Sequence, residues 1–523
     1  MGVARLLQWL PLLRRHHRFI QDPVGTQARL LRRLLQRAAS TEWGQRYGFA
    51  ELARARDVVK AYQARVPLHT YDELRADVAR MRRGEPNICW PGRIRHFAIS
   101  SGTASEGTLI PVSYEMLRAN RRFSIEVGLN YLLQSGRWSF LRGYHLTLPG
   151  RVDEDPRYPG TWAGEISGLV ARYAPWYVRL CYQAVPTRLL MLPNWEEKLH
   201  AIARHTAQKD VRLVVMAPTW GVVLFKALLE EARQQRGKMV ETVREVWPNL
   251  QVFISGGVAL SSYRTLLEEM IGDPAPDFVE TYGASEGFFA FQSTLDDPAM
   301  LLHLDNGIFY EFVPLEARNH PNPPRHTIAT VEPGMRYALY VTTCSGLWSY
   351  AMRDVVRFTQ TDPPKLVVVG RTGEMLDLYG EAVFGDEARA ALEEACQRTG
   401  ARVRDYHIAP RPATHNRLPT HQWLIEFEHP PKHLPTFAAI IDTYLQRINR
   451  HYQIRREARA FDRPEIIVLP TGSFLHWMRQ HRKRLSGQSK IPRMRPDRSL
   501  ADALLAQCAN FASSTETLPD SSA

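Results

Sequence analysis

Strand-like runs that end in glycine- or proline-containing turns and lead into helix-competent sequence predict an α/β fold, and the length of the chain predicts more than one domain. Two stretches carry the first point: Val211-Arg212-Leu213-Val214-Val215-Met216 before Ala217-Pro218-Thr219-Trp220, and Leu250-Gln251-Val252-Phe253-Ile254-Ser255 before Gly256-Gly257. Short β-branched runs bounded by turn residues read as strands, and strands alternating with helices build sheets with helices on their faces. At 523 residues the chain exceeds what a single hydrophobic core serves, so it divides into two or more packed domains.

The elements follow in order. Leu6 to Leu13 is apolar but short and is interrupted by Arg14-Arg15-His16-His17, which predicts an amphipathic packing helix and neither a cleaved signal nor a membrane span. From Thr26 to Ser40 apolar positions recur at helical spacing, and the N-terminal segment reads as helical to about Arg83. After Gly84-Glu85-Pro86-Asn87 a strand, His96 to Ile99, runs directly into Ser100-Ser101-Gly102-Thr103. In an α/β domain the ligands sit beyond the carboxyl ends of such strands. From Tyr337 β-branched and aromatic residues alternate with turns as far as Gly370-Arg371, where a boundary is expected. Residues 371–508 carry their own helical signal at Ala388 to Ala395 and strand signal at Trp423 to Phe427, predicting a smaller α+β domain. Beyond Cys508 the Ser/Thr-rich sequence predicts a disordered tail over 509–523.

Apolar residues at 44% and charged residues at 23% are the balance of a folded globular protein. The formal charge of +13 comes from scattered arginines with one dense cluster at His481 to Arg484, the pattern of a solvated basic surface. Nucleic acid and membrane partners are therefore not expected. Five widely spaced cysteines give neither a disulfide framework nor a zinc motif, which suits a reducing cytoplasm. A monomer is expected.

Three short motifs carry chemistry. Ser100-Ser101-Gly102-Thr103-Ala104-Ser105-Glu106-Gly107-Thr108 offers small residues whose backbone N–H groups converge on an anion, with hydroxyls to assist, as ATP phosphates require. A Ser/Gly surface loop is the plain alternative. Glu280-Thr281-Tyr282-Gly283-Ala284-Ser285-Glu286-Gly287 brings together an aromatic face, a hydroxyl and a carboxylate, the groups that grip adenine, phosphate and Mg²⁺. Core packing of Tyr282 and a solvated Glu286 are the alternatives there. In Tyr350-Ala351-Met352-Arg353-Asp354-Val355-Val356 a carboxylate suits two ribose hydroxyls, against a surface Asp paired with Arg353. Gly370-Arg371 and Gly380-Glu381 follow at the expected junction, and Gly487-Gln488-Ser489-Lys490 places a cation in a glycine-led loop.

In this order and spacing the chain resembles the auxin-responsive Gretchen Hagen family of acyl acid-amido synthetases, within the adenylate-forming superfamily. The stretches Val246 to Leu250, Asp305 to Phe312 and Ser345 to Tyr350 resemble its bacterial members, and the likeness covers nearly the whole chain. The family implies a large N-terminal ATP- and acid-binding domain, 1–370, and a smaller mobile lid domain. It implies ATP and Mg²⁺, a carboxylic acid activated as its adenylate, and transfer of the acyl group to an amine such as an amino acid. By the same resemblance Ser100, Ser101, Gly102 and Thr103 fall in the phosphate loop; Gly256 and Gly257, at the end of their strand, are expected among the cofactor-binding residues because of that position. Tyr282 lies beside adenine, Ser285 near the α-phosphate, Glu286 on Mg²⁺, Asp354 on the ribose, Arg371 at ribose and hinge, and Lys490 at the reacting groups, with Gly283 the close-approach glycine among the cofactor-binding residues.

Two departures stand out. The phosphate loop is shorter than usual and has Thr108-Leu109 where a lysine is expected before Ile110-Pro111, and Ala351 and Arg353 replace the usual Arg and Gly of the ribose motif. They leave open a nucleotide- or acid-binding protein that has lost turnover, and the wider superfamily leaves open acyl transfer to a thiol such as coenzyme A. Trp162 to Val170, Ala217 to Trp220, and Phe288-Phe289 are candidates to line the acid pocket, which points to an aromatic acid.

Overall fold

The computed structural model describes residues 19–100, 108–192, 194–257, 260–261, 263–372, 375–376, 381, 383–413, 417–481 and 491–515. The Leu6 to Leu13 segment thus lies outside the described residues. Two compact units are present, one holding most of the chain up to Val368 and the other Arg353–Val355 together with the chain from Val369 onward.

The first unit begins with short helices, among them Pro23–Ala38, Val58–Arg65 and Tyr71–Arg82. Side-chain caps start several of these: Asp22 accepts from Gly25 N at 3.0 Å and Asp57 from Lys60 N at 3.0 Å, satisfying amides that have no partner inside the helix. The main sheet has ten strands. In order they are Ile308–Pro314, Arg336–Thr343, Tyr350–Thr361, Pro364–Arg371, Asp297–Leu302, Gly287–Thr294, Asp277–Ala284, Val252–Gly256, Val211–Val215 and Tyr144–Thr147. The last four are parallel neighbours, whereas Asp277–Ala284 and Gly287–Thr294 pair antiparallel, so the sheet is mixed. Helix Pro218–Arg236 follows the Val211–Val215 strand as the sequence predicts, with proline in its first turn and Gly237 ending it at φ 61°.

The strand His96–Ser100 does not follow that design. It belongs to a separate four-stranded sheet and returns directly as a hairpin through Thr108–Val112, with Ser100 opposite Thr108. The apolar, partly β-branched Thr108-Leu109-Ile110-Pro111-Val112 pairs better as a strand than it coils, which is why these residues form a strand and not a helix. The helix comes one step later, at Tyr114–Ser135, where Ser113 accepts from Met116 N at 3.0 Å as the N-cap and Gly136 closes the other end at φ 64°.

In the second unit the strands Arg402–Arg411, Thr420–His429 and Glu465–Leu469 form a three-stranded sheet. Alternation along the central strand sends Trp423 and Ile425 to one face, where they join Phe437, Tyr452 and Phe461, and Leu424 to the other, with Phe474, Leu500 and Leu504. Helices Gly385–Thr399 and Leu434–Ile448 cover the first face. The helix Ser499–Thr515 runs past Cys508 into the segment expected to be a disordered tail. Ala509, Phe511 and Ala512 favour or tolerate helix, and the buried Leu500 and Leu504 anchor its first turns. Among the described residues no helix is long and apolar enough to cross a membrane.

Candidate active site

The Glu280–Gly287 motif folds as a tight hairpin. Its strands Asp277–Ala284 and Gly287–Thr294 place Ala284 opposite Gly287, leaving Ser285 and Glu286 as the turn. Hairpin tips usually lie in solvent, yet Ser285 is 4% and Glu286 8% exposed. A carboxylate held that deep requires compensation by hydrogen bonds or positive charge. Tyr282 packs into the core with its ring 4.9 Å from that of Phe289. Gly283 lets the ring of Phe288 approach so closely that a Cβ would stand 2.6 Å from it.

Two residues not singled out by sequence hold this hairpin. Asn120, fully buried on helix Tyr114–Ser135, accepts from Phe288 N at 3.2 Å through Oδ1, and Asn306 donates to Phe288 O at 3.0 Å. A polar residue at a core-facing position of an amphipathic helix is the signal that marks Asn120.

The adjacent strand Val252–Gly256 delivers its carboxyl end beside the hairpin. Thr281 donates through Oγ1 to Ser255 O at 2.8 Å, and Leu260 N donates to Glu280 Oε1 at 3.2 Å. A Cβ on Gly256 would lie 2.8 Å from Thr281 Oγ1, and Gly257 sits at φ 82°, so the turn is built on close approach and left-handed backbone that only glycine adopts without strain.

Asp354 lies on the strand Tyr350–Thr361, only 6% exposed, and accepts from Arg371 Nε at 3.3 Å. Arg353 beside it has φ 62°. That is left-handed backbone, which glycine adopts without strain and a residue with a Cβ does not. Arg353 O also accepts from Thr372 N at 2.8 Å.

Other sequence candidates fall elsewhere. Ser101, Gly102, Thr103, Gly380 and Lys490 lie outside the described residues. Glu381 is fully buried against His421, with 3.0 Å between Oε1 and Nε2, as part of the second unit's interior. Of the residues named for the acid pocket, Phe289 is core, whereas Trp162 is half-buried with the Arg172 guanidinium 3.7 Å above its ring.

The residues present fit a magnesium nucleotide. Among the described residues no group of three metal-ligating side chains occurs, and Mg²⁺ bound with phosphates is commonly held by one or two carboxylates, the remaining positions filled by phosphate and water. Glu286, buried at the hairpin tip, would supply one such carboxylate.

Family comparisons match this architecture along its length. The GH3 family N-terminal domain matches residues 12–137 and 128–276, the central domain 301–371 and the C-terminal domain 386–499. The chain is 24% identical to indole-3-acetic acid-amido synthetase GH3.4 of Arabidopsis thaliana, over 90% of this chain and 89% of that one. Its fold is similar to that of GH3.15 acyl acid amido synthetase, with TM-score 0.75 at 18% identity over 94% and 95% of the two chains. It is also similar to that of a 2-hydroxyisobutyryl-CoA ligase in the postadenylation state, with TM-score 0.57 at 14% identity over 92% and 91%. The matched domains, in the order the fold presents them, establish that this chain belongs to the GH3 family of acyl acid-amido synthetases.

Proposed function

We infer that this protein is an ATP-dependent ligase that converts a carboxylic acid to its acyl-adenylate with release of pyrophosphate, then passes the acyl group to an amine, an amino acid, to form an amide. The observation that carries this reading is the buried Glu286 at the tip of a hairpin, next to a glycine turn at the carboxyl end of a parallel strand. Such a position sets a buried carboxylate where nucleotides bind in α/β sheets.

A carboxylate is a poor acyl donor because its leaving group would be oxide, whereas an adenylate leaves as a phosphate ester. In-line attack on the α-phosphate gathers negative charge, so catalysis consists largely of positioning and electrostatic stabilisation. Glu286 would hold Mg²⁺, which supplies neutralising charge to the phosphates. Ser285 orients the α-phosphate, Tyr282 and Gly283 adjoin adenine, and Gly256 and Gly257 admit the nucleotide backbone-close. Asp354 accepts from the ribose hydroxyls with Arg371 beside it. Ser100, Ser101, Gly102 and Thr103 cradle the phosphates, and Lys490 serves the reacting carboxylate. In this reading residues 1–370 bind ATP and acid, and 371–508 form the lid domain that carries Lys490. Unpaired cysteine spacing supports a reducing cytoplasm as the place of action, and gel filtration of the purified chain tests the expected monomer.

Transfer to the thiol of coenzyme A is the second reading, favoured by the shared fold with the CoA ligase. The test is pyrophosphate release with Mg²⁺-ATP across a panel of acids, followed by separate addition of amino acids and coenzyme A and mass identification of products. Acid-dependent pyrophosphate coupled to an amide supports the amido synthetase; a thioester shifts it to the CoA reading. ATP binding with no turnover on any acid leaves the impaired binding protein.

A further inference from the structure

Phe288, two residues beyond Glu286, is where the hairpin is gripped from outside. Its N–H donates to Asn120 Oδ1 at 3.2 Å and its carbonyl accepts from Asn306 Nδ2 at 3.0 Å, so one asparagine presents its oxygen and the other its amide. The strand register shifts between Tyr282 and Gly283, which interrupts the regular ladder just before the tip, and the two side chains hold the backbone there. The Phe288 ring is fixed as well: the ring of Phe123 lies 5.6 Å away, and a Cβ on Gly283 would stand 2.6 Å from it.

Both asparagines are fully buried. An apolar side chain at that depth would gain burial energy with no polar group to desolvate. What two amides add there is direction, and they are anchored to one another. Asn120 lies about two turns into the helix Tyr114–Ser135, which Ser113 caps. Ser113 N donates to Ser345 Oγ at 3.0 Å, Cys344 N donates to Gly307 O at 2.9 Å, and Asn306, beside Gly307, reaches Phe288. Helix, Cys344-Ser345 turn, Asn306-Gly307 bend and hairpin thus form one closed circuit in the interior. The strand Thr108–Val112, in which the phosphate motif ends, runs directly into Ser113, so the phosphate motif and the hairpin share one support.

We propose that Asn120 and Asn306 are positioning residues for Glu286: by fixing the Phe288 backbone they set the hairpin tip, and with it the carboxylate, where Mg²⁺ and phosphate require it. This rests on the nucleotide-binding reading above. In this role neither asparagine meets the metal, and each acts through Phe288.

The test on the full chain reads Mg²⁺-dependent ATP binding by calorimetry, hydrogen exchange over residues 283–289, and thermal unfolding. Asn120→Ala and Asn306→Ala are each expected to raise the Mg²⁺ concentration at half-maximal binding by about tenfold or more, the range for losing a group that orients a metal ligand, and to speed exchange in the hairpin. Asn120→Asp keeps an oxygen facing Phe288 N, so it is expected to restore most of the wild-type Mg²⁺ response even where burying a carboxyl lowers the melting temperature. A lowered melting temperature with an unmoved Mg²⁺ response in the folded alanine variants overturns the proposal and leaves the ligase reading standing. An Asn120→Asp variant as impaired as Asn120→Ala does the same. Should Asn120→Ala fail to fold, Asn306→Ala decides by the same measure. A wild type with no Mg²⁺-dependent ATP binding sinks the nucleotide reading itself, and the positioning role with it.

Discussion

Arg371 donates through Nε to Asp354 Oδ1 across 3.3 Å, joining a carboxylate 9% exposed at its side chain to a guanidinium 51% exposed. Asp354 is thus held in place by a partner that solvent reaches, which suits an acceptor for ligand hydroxyls. Asp354→Ala is expected to raise the KM for ATP by about tenfold to a hundredfold, the range for losing one charge-assisted hydrogen bond. Arg371→Ala is expected to act less, because its exposed pairing contributes little. Steady-state kinetics with varied ATP measures both; an unchanged KM in Asp354→Ala would remove this carboxylate from the nucleotide site.

Arg353 holds φ 62°, a conformation that costs an L-residue about 1 kcal/mol or more and glycine little. Arg353→Gly is therefore expected to stabilise the protein by about 1 kcal/mol in urea denaturation. A loss of stability would mean that the arginine side chain contributes more than its backbone costs.

For Glu286 the expectation concerns metal dependence. Glu286→Ala should lower acid-dependent pyrophosphate release by about a hundredfold or more, in line with removal of one electrostatic group from an acyl or phosphoryl transfer site. Glu286→Asp should retain partial activity that rises with Mg²⁺ concentration. Titrating Mg²⁺ against rate checks this, and a Glu286→Asp profile saturating at the wild-type concentration would speak against metal binding here.

Lys198 gives a pH signature. Its ammonium, 1% exposed, donates to Pro149 O at 2.5 Å, and burial lowers its pKa to about 8, with Glu165 acting in the opposite direction. Between about pH 8 and the ordinary lysine value the unfolded chain binds a proton that the folded chain has released. Stability attributable to this group therefore rises with pH across that window. The difference in unfolding free energy between wild type and Lys198→Met should change by a few kcal/mol from pH 7.5 to 10, with the wild type gaining. A pH-independent difference would show that Lys198 keeps its proton in the folded state.

The hairpin at Ser285-Glu286 illustrates what could be read in advance. Tyr282, Gly283, Ser285 and Glu286 stand together in sequence, so their residue types already announce a polar, glycine-punctuated turn after a strand. What the local sequence does not carry is the support from afar: Asn120 reaches Phe288 across 168 positions, and Asn306 closes the other side across 18.

The sequence by itself determined several of the segments that become strands and helices, Val211–Val215 with Pro218–Arg236 and Val252–Gly256 among them, since these follow from side-chain shape, periodicity and backbone freedom within a few residues; it did not foresee the strand Thr108–Val112 or the helix that continues past Cys508. It also announced the family, through motifs whose order survives low identity. Only the tertiary structure decided that His96–Ser100 returns as a hairpin in its own sheet, that the ten-stranded sheet is mixed, and that Glu286 is buried at a hairpin tip. Pairing direction and burial depend on which distant surfaces meet, and that is a property of packing that local sequence does not encode.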